Sequence, residues 1–251
     1  MPSYLVTGAG RGLGLGFVTN LLRNKGNIVI ATARDTAASS GLQELKTRND
    51  NGRLILIDLD VSNAESVSKT VEEVAKVLPD GLDNLISNAG VSTSGPLKTF
   101  DELDLDEFRQ EVDFPITTTL LVVRGFLPLV HKSKEKKILV ISSIIGSLTI
   151  APNVLDLGNG YAVARAALNM LVRKWSMPLK AKDIVIAVVH PGWVDSTEMG
   201  SSIVAWVDKN PDRMLSITVE QSAAGVTKVL HDLNIENTGS FFNYDGIQLP
   251  W

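Results

Sequence analysis

Short apolar runs alternate with longer amphipathic segments along the whole chain. Tyr4-Leu5-Val6-Thr7 reads as a strand that ends in glycines, and residues 12–24 as the helix it feeds. Further strand-like runs fall at residues 27–32, 54–57, 82–87, 138–142, 184–189 and 240–244. Helical patterns fall at residues 161–175 and 219–233, and another runs from Ser62 to about Leu78, with Glu65 at capping-box spacing from Ser62. Runs that are apolar on consecutive residues are buried on both faces, as in a parallel sheet covered by helices. The alternation predicts one doubly wound α/β domain over residues 1–251, with a mainly parallel sheet of seven strands. No repeat, low-complexity tract or linker interrupts it. Residues 196–217 depart from the pattern: Met199, Trp206 and Met214 stand among polar residues, which fits a surface excursion or a lid over a crevice at the strand ends.

Composition narrows the function. The 251 residues are 44% hydrophobic and 21% charged, enough to bury a sizeable core without a metal or disulfide staple. The absence of cysteine excludes disulfides, zinc–thiolate sites and a cysteine nucleophile, and suits a reducing cytoplasm. A net charge of −4 argues against nucleic acid as the main partner. No apolar run approaches the roughly 20 residues of a membrane span, and Met1-Pro2-Ser3-Tyr4 lacks the basic start and apolar core of a secretory leader. His131, His190 and His231 are scattered and in no metal-binding spacing, so no metal is expected. The acidic run at residues 101–107 reads as a solvated helix start, and Gly158-Asn159-Gly160 as a flexible turn.

The first turn carries the strongest chemical signal. Thr7-Gly8-Ala9-Gly10-Arg11-Gly12-Leu13-Gly14 follows a strand and opens a helix. Glycines there permit a tight turn and a close backbone approach, and the helix start offers unpaired N–H groups to a pyrophosphate. Arg34, at the end of the second strand, stands where an adenosine ribose would lie, and an arginine there suits a 2′-phosphate. Arg11 could add a second positive charge. This predicts NADP rather than NAD, with Asp35 as the opposing feature if its carboxylate turns inward.

Further landmarks keep the same order: Asp60-Val61, Ser87-Asn88-Ala89-Gly90, Ser142-Ser143-Ile144-Ile145-Gly146, Tyr161-Ala162-Val163-Ala164-Arg165 and His190-Pro191-Gly192-Trp193-Val194. Together they resemble the short-chain dehydrogenase/reductase family along nearly the whole chain. The tail, Phe241 to Gly246 and Leu249-Pro250-Trp251, resembles its carbonyl-reductase branch, related to bacterial C-factor and insect sniffer. The resemblance implies that Gly8, Arg11, Gly12, Leu13 and Gly14 hold the cofactor phosphates and that Asp60 and Val61 meet the adenine. It places Asn88, Ala89 and Gly90 beside the ribose, and Pro191, Gly192, Val194 and Thr197 around the nicotinamide. Ser143, three residues before Gly146, matches the catalytic serine, and Tyr161 the catalytic tyrosine. A homodimer or homotetramer through the helices beside the active site is also implied.

Two positions depart from the family pattern. Arg165 replaces the lysine of Tyr-x-x-x-Lys, one turn along the helix from Tyr161. A gapless register puts Pro115 where the family has an asparagine that helps to hold a proton-relay water; Asp113 could substitute only if the register slips. Proline brings no such side chain and should kink or break its helix, which leaves a monomer open as well. Arg165 can still anchor a ribose and favour the tyrosinate, but it does not readily release a proton. Two activities therefore stay open: reduction of a carbonyl substrate by Ser143, Tyr161 and Arg165, or a non-redox step or ligand sensing in the same pocket. The expected pocket rim, residues 92–96, 147–160 and 196–217, is partly apolar, with Leu148, Ile150, Val154, Trp193 and Trp206.

Overall fold

A computed structural model describes all residues except 50, 91–97, 99, 155 and 156. Seven strands form one all-parallel sheet: β1 (Ser3–Val6), β2 (Ile28–Ala33), β3 (Leu54–Asp58), β4 (Asn84–Ser87), β5 (Lys137–Ile141), β6 (Val185–His190) and β7 (Phe241–Asn243). Their order is β3-β2-β1-β4-β5-β6-β7, so the direction of winding reverses between β1 and β4. Loops leaving the carboxyl ends of those two strands diverge, and the crevice between them is the ligand position of such sheets.

Eight α-helices are described: α1 (Gly12–Leu22), α2 (Ser40–Arg48), α3 (Ala64–Val77), α4 (Leu105–Lys132), α5 (Asn159–Lys180), α6 (Glu198–Ser201), α7 (Val204–Val207) and α8 (Val219–Asp232). Two cores explain the layering. On one face Val67 and Val74 of α3, Phe126 of α4 and Leu168 and Val172 of α5 pack on Leu5, Leu85, Ile138 and Ile186. On the other, Phe17 and Val18 of α1, Leu42 of α2 and Val226 and Leu230 of α8 pack on Val6, Ile86, Leu139 and Ala187. Successive strand residues thus enter opposite cores, which is why the strands read as unbroken apolar runs.

Several local expectations are corrected. The α2 helix gave no clear pattern in the sequence because it is short and buries only Leu42. Asn63, not Ser62, caps α3, accepting from the N–H groups of Glu65 and Ser66; Ser62 turns its hydroxyl to the Asp60 carboxylate. The α5 helix starts at Asn159 and runs to Lys180, past Pro178. Gly158 caps it at φ +64°, and Gly160 packs so closely on α4 that a Cβ would lie 2.1 Å from the Glu111 carboxylate. The Gly158-Asn159-Gly160 segment is therefore a packed helix start, not a flexible turn.

The α4 helix is also not broken by Pro115, nor by Pro128. By length and composition alone it could cross a membrane, with a mean hydropathy of 1.4 in its most apolar window. Its buried residues Thr118, Val122, Phe126 and Leu129 recur at helical spacing and face the sheet, the pattern of a core helix.

His190 ends β6 with Nδ1 enclosed and, among the described residues, unpartnered, although part of the residue reaches solvent. Burial pushes its pKa down to about 4, against a weaker upward pull from Asp245. The unfolded chain takes up this proton near the ordinary value of 6.5. Stability from this group is therefore full above 6.5 and is lost as pH falls through the folded value, by up to about 3 kcal/mol. Urea unfolding at about pH 7 and about pH 4.5 should show His190→Gln losing less stability on acidification than the wild type. An equal loss in both proteins would remove His190 as the cause.

Candidate active site

The glycine loop lies at the β1/β4 switch point and is locked by side chains from β4. Asn88 Nδ2 donates to the carbonyls of Thr7 (2.9 Å) and Gly8 (3.2 Å), while Thr7 Oγ1 accepts from the N–H groups of Asn88 and Ala89. The close approach requires glycine. A Cβ at Gly8 would sit 2.7 Å from the Ala89 backbone, and one at Gly14 would sit 2.2 Å from the Gly8 carbonyl oxygen. The start of α1 has neither a side-chain cap nor an acidic residue in its first turn, so its N–H groups are open to an external anion.

Arg34 is exposed beyond β2, with Asp60 near enough to feel its charge. The Asp35 carboxylate is committed locally, accepting from the Ala38 N–H at 2.9 Å, so it does not oppose Arg34 from inside the cleft. Ser62 draws the Asp60 carboxylate into the turn after β3 and holds it below the usual carboxylate range, mainly through hydrogen bonds from its hydroxyl and N–H. Val61 is buried beside it. Arg11, expected beside the phosphates, pairs instead with Glu198 of α6 at 2.6 Å on the surface.

The catalytic candidates lie on two elements. Ser143 follows β5 and opens a short 3-10 turn, Ile144–Gly146, with no cap hydrogen bond from its own side chain. Its neighbour Ser142 is buried and donates to Asn169 Oδ1 at 2.6 Å, which gives that hydroxyl a structural role. Tyr161 and Arg165 stand one turn apart on α5, and the guanidinium carbon lies 4.6 Å from the Tyr161 ring centroid. Arg165 thus supports the ring face. It is only 8% exposed, donates to the Ile141 carbonyl through Nη1 at 3.3 Å, and keeps a buried Nε with no partner among the described residues. An unpaired buried donor of a charged group calls for an acceptor such as a ligand hydroxyl. Among the described residues the Tyr161 hydroxyl donates to Met199 Sδ at 3.5 Å, a weak acceptor that a carbonyl oxygen could displace.

Pro191 and Val194 are buried after β6, and Gly192 takes φ +81° with Ile217 and Tyr244 against it. The Thr197 hydroxyl is committed to its own turn, donating to the Val194 carbonyl and accepting from the Gly200 N–H. Its methyl faces Gly12 across the cleft, and the Met199 methyl faces Gly90 and the Arg165 side. Leu13 is partly buried against the core on the α1 face. Ile145, Val154 and Leu157 form a small core with Trp206 and Val207 of α7, against which Tyr161 and Trp193 pack. Leu148, expected as pocket lining, is 75% exposed. The rim expected at residues 92–96 lies outside the described residues.

Pro115 is buried in α4, while Asp113 is exposed and its carbonyl accepts from Thr117. The gapless register thus puts a proline on the inner side, and Asp113 does not take its place. Sequence reasoning missed Asn169, which accepts from Ser142 and donates to the Gly146 carbonyl at 3.3 Å, tying the Ser143 turn to α5. The signal was available, because residues 161, 165 and 169 share one helix face.

Residues 3–208 match the short chain dehydrogenase family. The chain belongs to it. Among curated relatives, an uncharacterised oxidoreductase of Schizosaccharomyces pombe is 33% identical over 256 residues, covering 99% of this chain and 97% of that one. A short-chain dehydrogenase of Pyricularia oryzae is 34% identical, covering 99% of this chain and 98% of its own. Among solved structures, NADPH-bound carbonyl reductase from chicken fatty liver superposes with a TM-score of 0.86 at 33% identity, over 100% of this chain and 99% of its own. The carbonyl reductase Sniffer of Drosophila melanogaster gives 0.84 at 27% identity, over all of both chains. The chain is an oxidoreductase of the short-chain dehydrogenase family.

Removing the Asn169 amide strands the Ser142 hydroxyl and takes a donor from the Gly146 carbonyl inside the protein. Asn169→Ala should cost about 2–3 kcal/mol in urea unfolding, with an unchanged slope. A loss below about 0.5 kcal/mol would show the amide to be incidental.

Proposed function

We propose that this chain is an NADPH-dependent reductase of a carbonyl, or similarly polarised double bond, in a small and partly apolar compound. The observation that carries the reading is the buried Arg165, its Nε unpaired among the described residues, its guanidinium over the Tyr161 ring and its Nη2 close to Gly90 beyond β4. The residues fit a dinucleotide. Gly8 and Gly14 let the turn close on Ala89 and Asn88, Gly12 is the roomier position at the open start of α1 where phosphates would sit, Asn88 to Gly90 form the floor, and Arg165 Nε would meet a ribose hydroxyl. The chemistry that cofactor supplies when bound is hydride donation.

The protein's own groups handle the oxygen and the proton. Ser143 would donate a hydrogen bond to the substrate oxygen, steadying the negative charge that grows there. The Tyr161 hydroxyl, released from Met199, would give that oxygen its proton as general acid. Arg165 keeps the phenol face fixed and its positive charge near. Trp193, Trp206 and Val154 would exclude water from the apolar side, with residues 196–217 as the lid.

NADPH is favoured over NADH because Arg34 is exposed just past β2, where the ribose end would lie, while Asp35 is engaged elsewhere. The NADPH-bound chicken enzyme supports the same choice. The exposed stripe of Val163, Met170 and Met177 along α5 fits a homodimer through that helix. A second reading, a non-redox step with the same ligands, is favoured by one observation. The buried Pro115 offers no side chain to hold a relay water.

Absorbance at 340 nm with a panel of aldehydes and ketones separates the two readings. Consumption of NADPH supports the first, and tight binding without any consumption supports the second. Tyr161→Phe should lower kcat at least about a hundredfold with NADPH affinity within about twofold, and an unchanged kcat would take the phenol out of the mechanism. By calorimetry NADPH should bind more tightly than NADH, and Arg34→Ala should erase about tenfold of that preference. Tighter NADH binding by the wild type would overturn the cofactor assignment.

A further inference from the structure

We propose that residues 248–251 are a strap that positions the substrate-facing loop after Ser143, with Trp251 as its anchor. The proposal rests on the reductase reading above and names what shapes its substrate wall. After β7 the chain turns back. Gln248 bridges Phe242 in antiparallel fashion, and the Leu249 N–H donates to the Phe241 carbonyl at 2.7 Å. That return carries residues 250 and 251 away from the outer sheet edge and under the loop that follows β5.

There the two segments are joined at three points within three residues. The Ser147 hydroxyl, fully buried, donates to the Pro250 carbonyl at 2.8 Å. The N–H and the hydroxyl of Thr149 both donate to the Trp251 main-chain oxygen, at 3.0 and 2.8 Å. Ser147 also accepts from the Ile150 N–H at 3.3 Å, so the strap fixes a hydroxyl that in turn organises the loop.

The anchor is itself held from behind. The Trp251 ring stacks on the fully buried Phe241 with centroids 5.6 Å apart, and the Arg173 guanidinium lies 5.8 Å from its centroid. Arg173 Nη1 donates to the Gly239 carbonyl at 2.9 Å, which ties this stack to the turn before β7.

What the strap holds is not a remote surface. Ser147 lies four residues after Ser143, and the same loop continues into Val154 and Leu157, which pack with Trp206, Trp193 and Tyr161. Leu148, between the two anchored residues, is thrust outward to 75% exposure at the rim. The internal hydrogen bonds of this loop are those of isolated turns, including the 3-10 pieces Ile144–Gly146 and Ala151–Asn153, and such short pieces open locally unless something outside them fixes their shape. The strap supplies that, and among the described residues its hydrogen bonds go to Phe241, Ser147 and Thr149, not to Arg34 or the glycine loop. Trp251 and Thr149 are therefore positioning residues for the carbonyl substrate, not for the cofactor.

Two single variants of the full chain test this, Trp251→Ala and the nearly isosteric Thr149→Val. Each should raise KM for a carbonyl substrate about fivefold, through the lost hydroxyl hydrogen bond in Thr149→Val and the lost ring stack on Phe241 in Trp251→Ala, with kcat and NADPH affinity within about twofold. Hydrogen exchange at residues 149–151 should speed up about tenfold while amides of β5 keep their protection. Unchanged exchange at these residues overturns the proposal, as does faster exchange spread evenly over the sheet. So does a KM that stays put while exchange quickens. Should the wild type reduce no carbonyl compound, the reductase reading fails alone, and the exchange result in Thr149→Val still decides whether residues 248–251 order the loop.

Discussion

One side-chain amide holds the two strand ends between which the cleft opens. Asn88 reaches from the end of β4 to the carbonyls of Thr7 and Gly8 at the end of β1, and Thr7 answers through its hydroxyl. Neighbouring parallel strands would otherwise part at this point, because their loops leave in opposite directions. The bond set fixes the glycine turn, and the turn aims the start of α1. Gly14 must be bare for the arrangement to close, since any Cβ would strike the Gly8 carbonyl and the Asn88 amide.

The second half of the site is built on different physics. Here a charged group is kept almost dry, stacked on the ring one helical turn before it. A buried guanidinium is tolerable only when its donors are used, and one of them has no use within the described residues. The serine side is held by neutral hydrogen bonds, from Ser142 through Asn169 to Gly146. Close packing completes this link, because a Cβ at Gly146 would sit 2.7 Å from the Arg165 Cβ. The two candidate elements are thus packed into one piece.

The sequence made most of the architecture legible, because buried parallel strands leave continuous apolar runs and glycine turns leave spacing. Helix α2 escaped because it buries a single leucine. Pro115 was read as a break and proved to lie within an unbroken helix, since packing of α4 on the sheet outweighs one missing N–H. The candidate site was legible where chemistry is local, as at Gly8, Ser143 and Tyr161. It was not legible where partners come from afar. Nothing in the pattern around Arg11 announces Glu198, nothing around Tyr161 announces Met199, and nothing around Ser147 announces Pro250. Such pairs depend on how loops cross in space.

The pairing of Arg11 with Glu198 has a wider meaning for how the two sides of the cleft are joined. It ties the glycine turn to α6 through two exposed side chains, so it is a contact that dissolved salt weakens. Glu198 stands next to Met199 on that short helix, and Met199 is the group that meets the Tyr161 hydroxyl. The glycine turn and the phenol, built from distant parts of the chain, thereby share one ionic link.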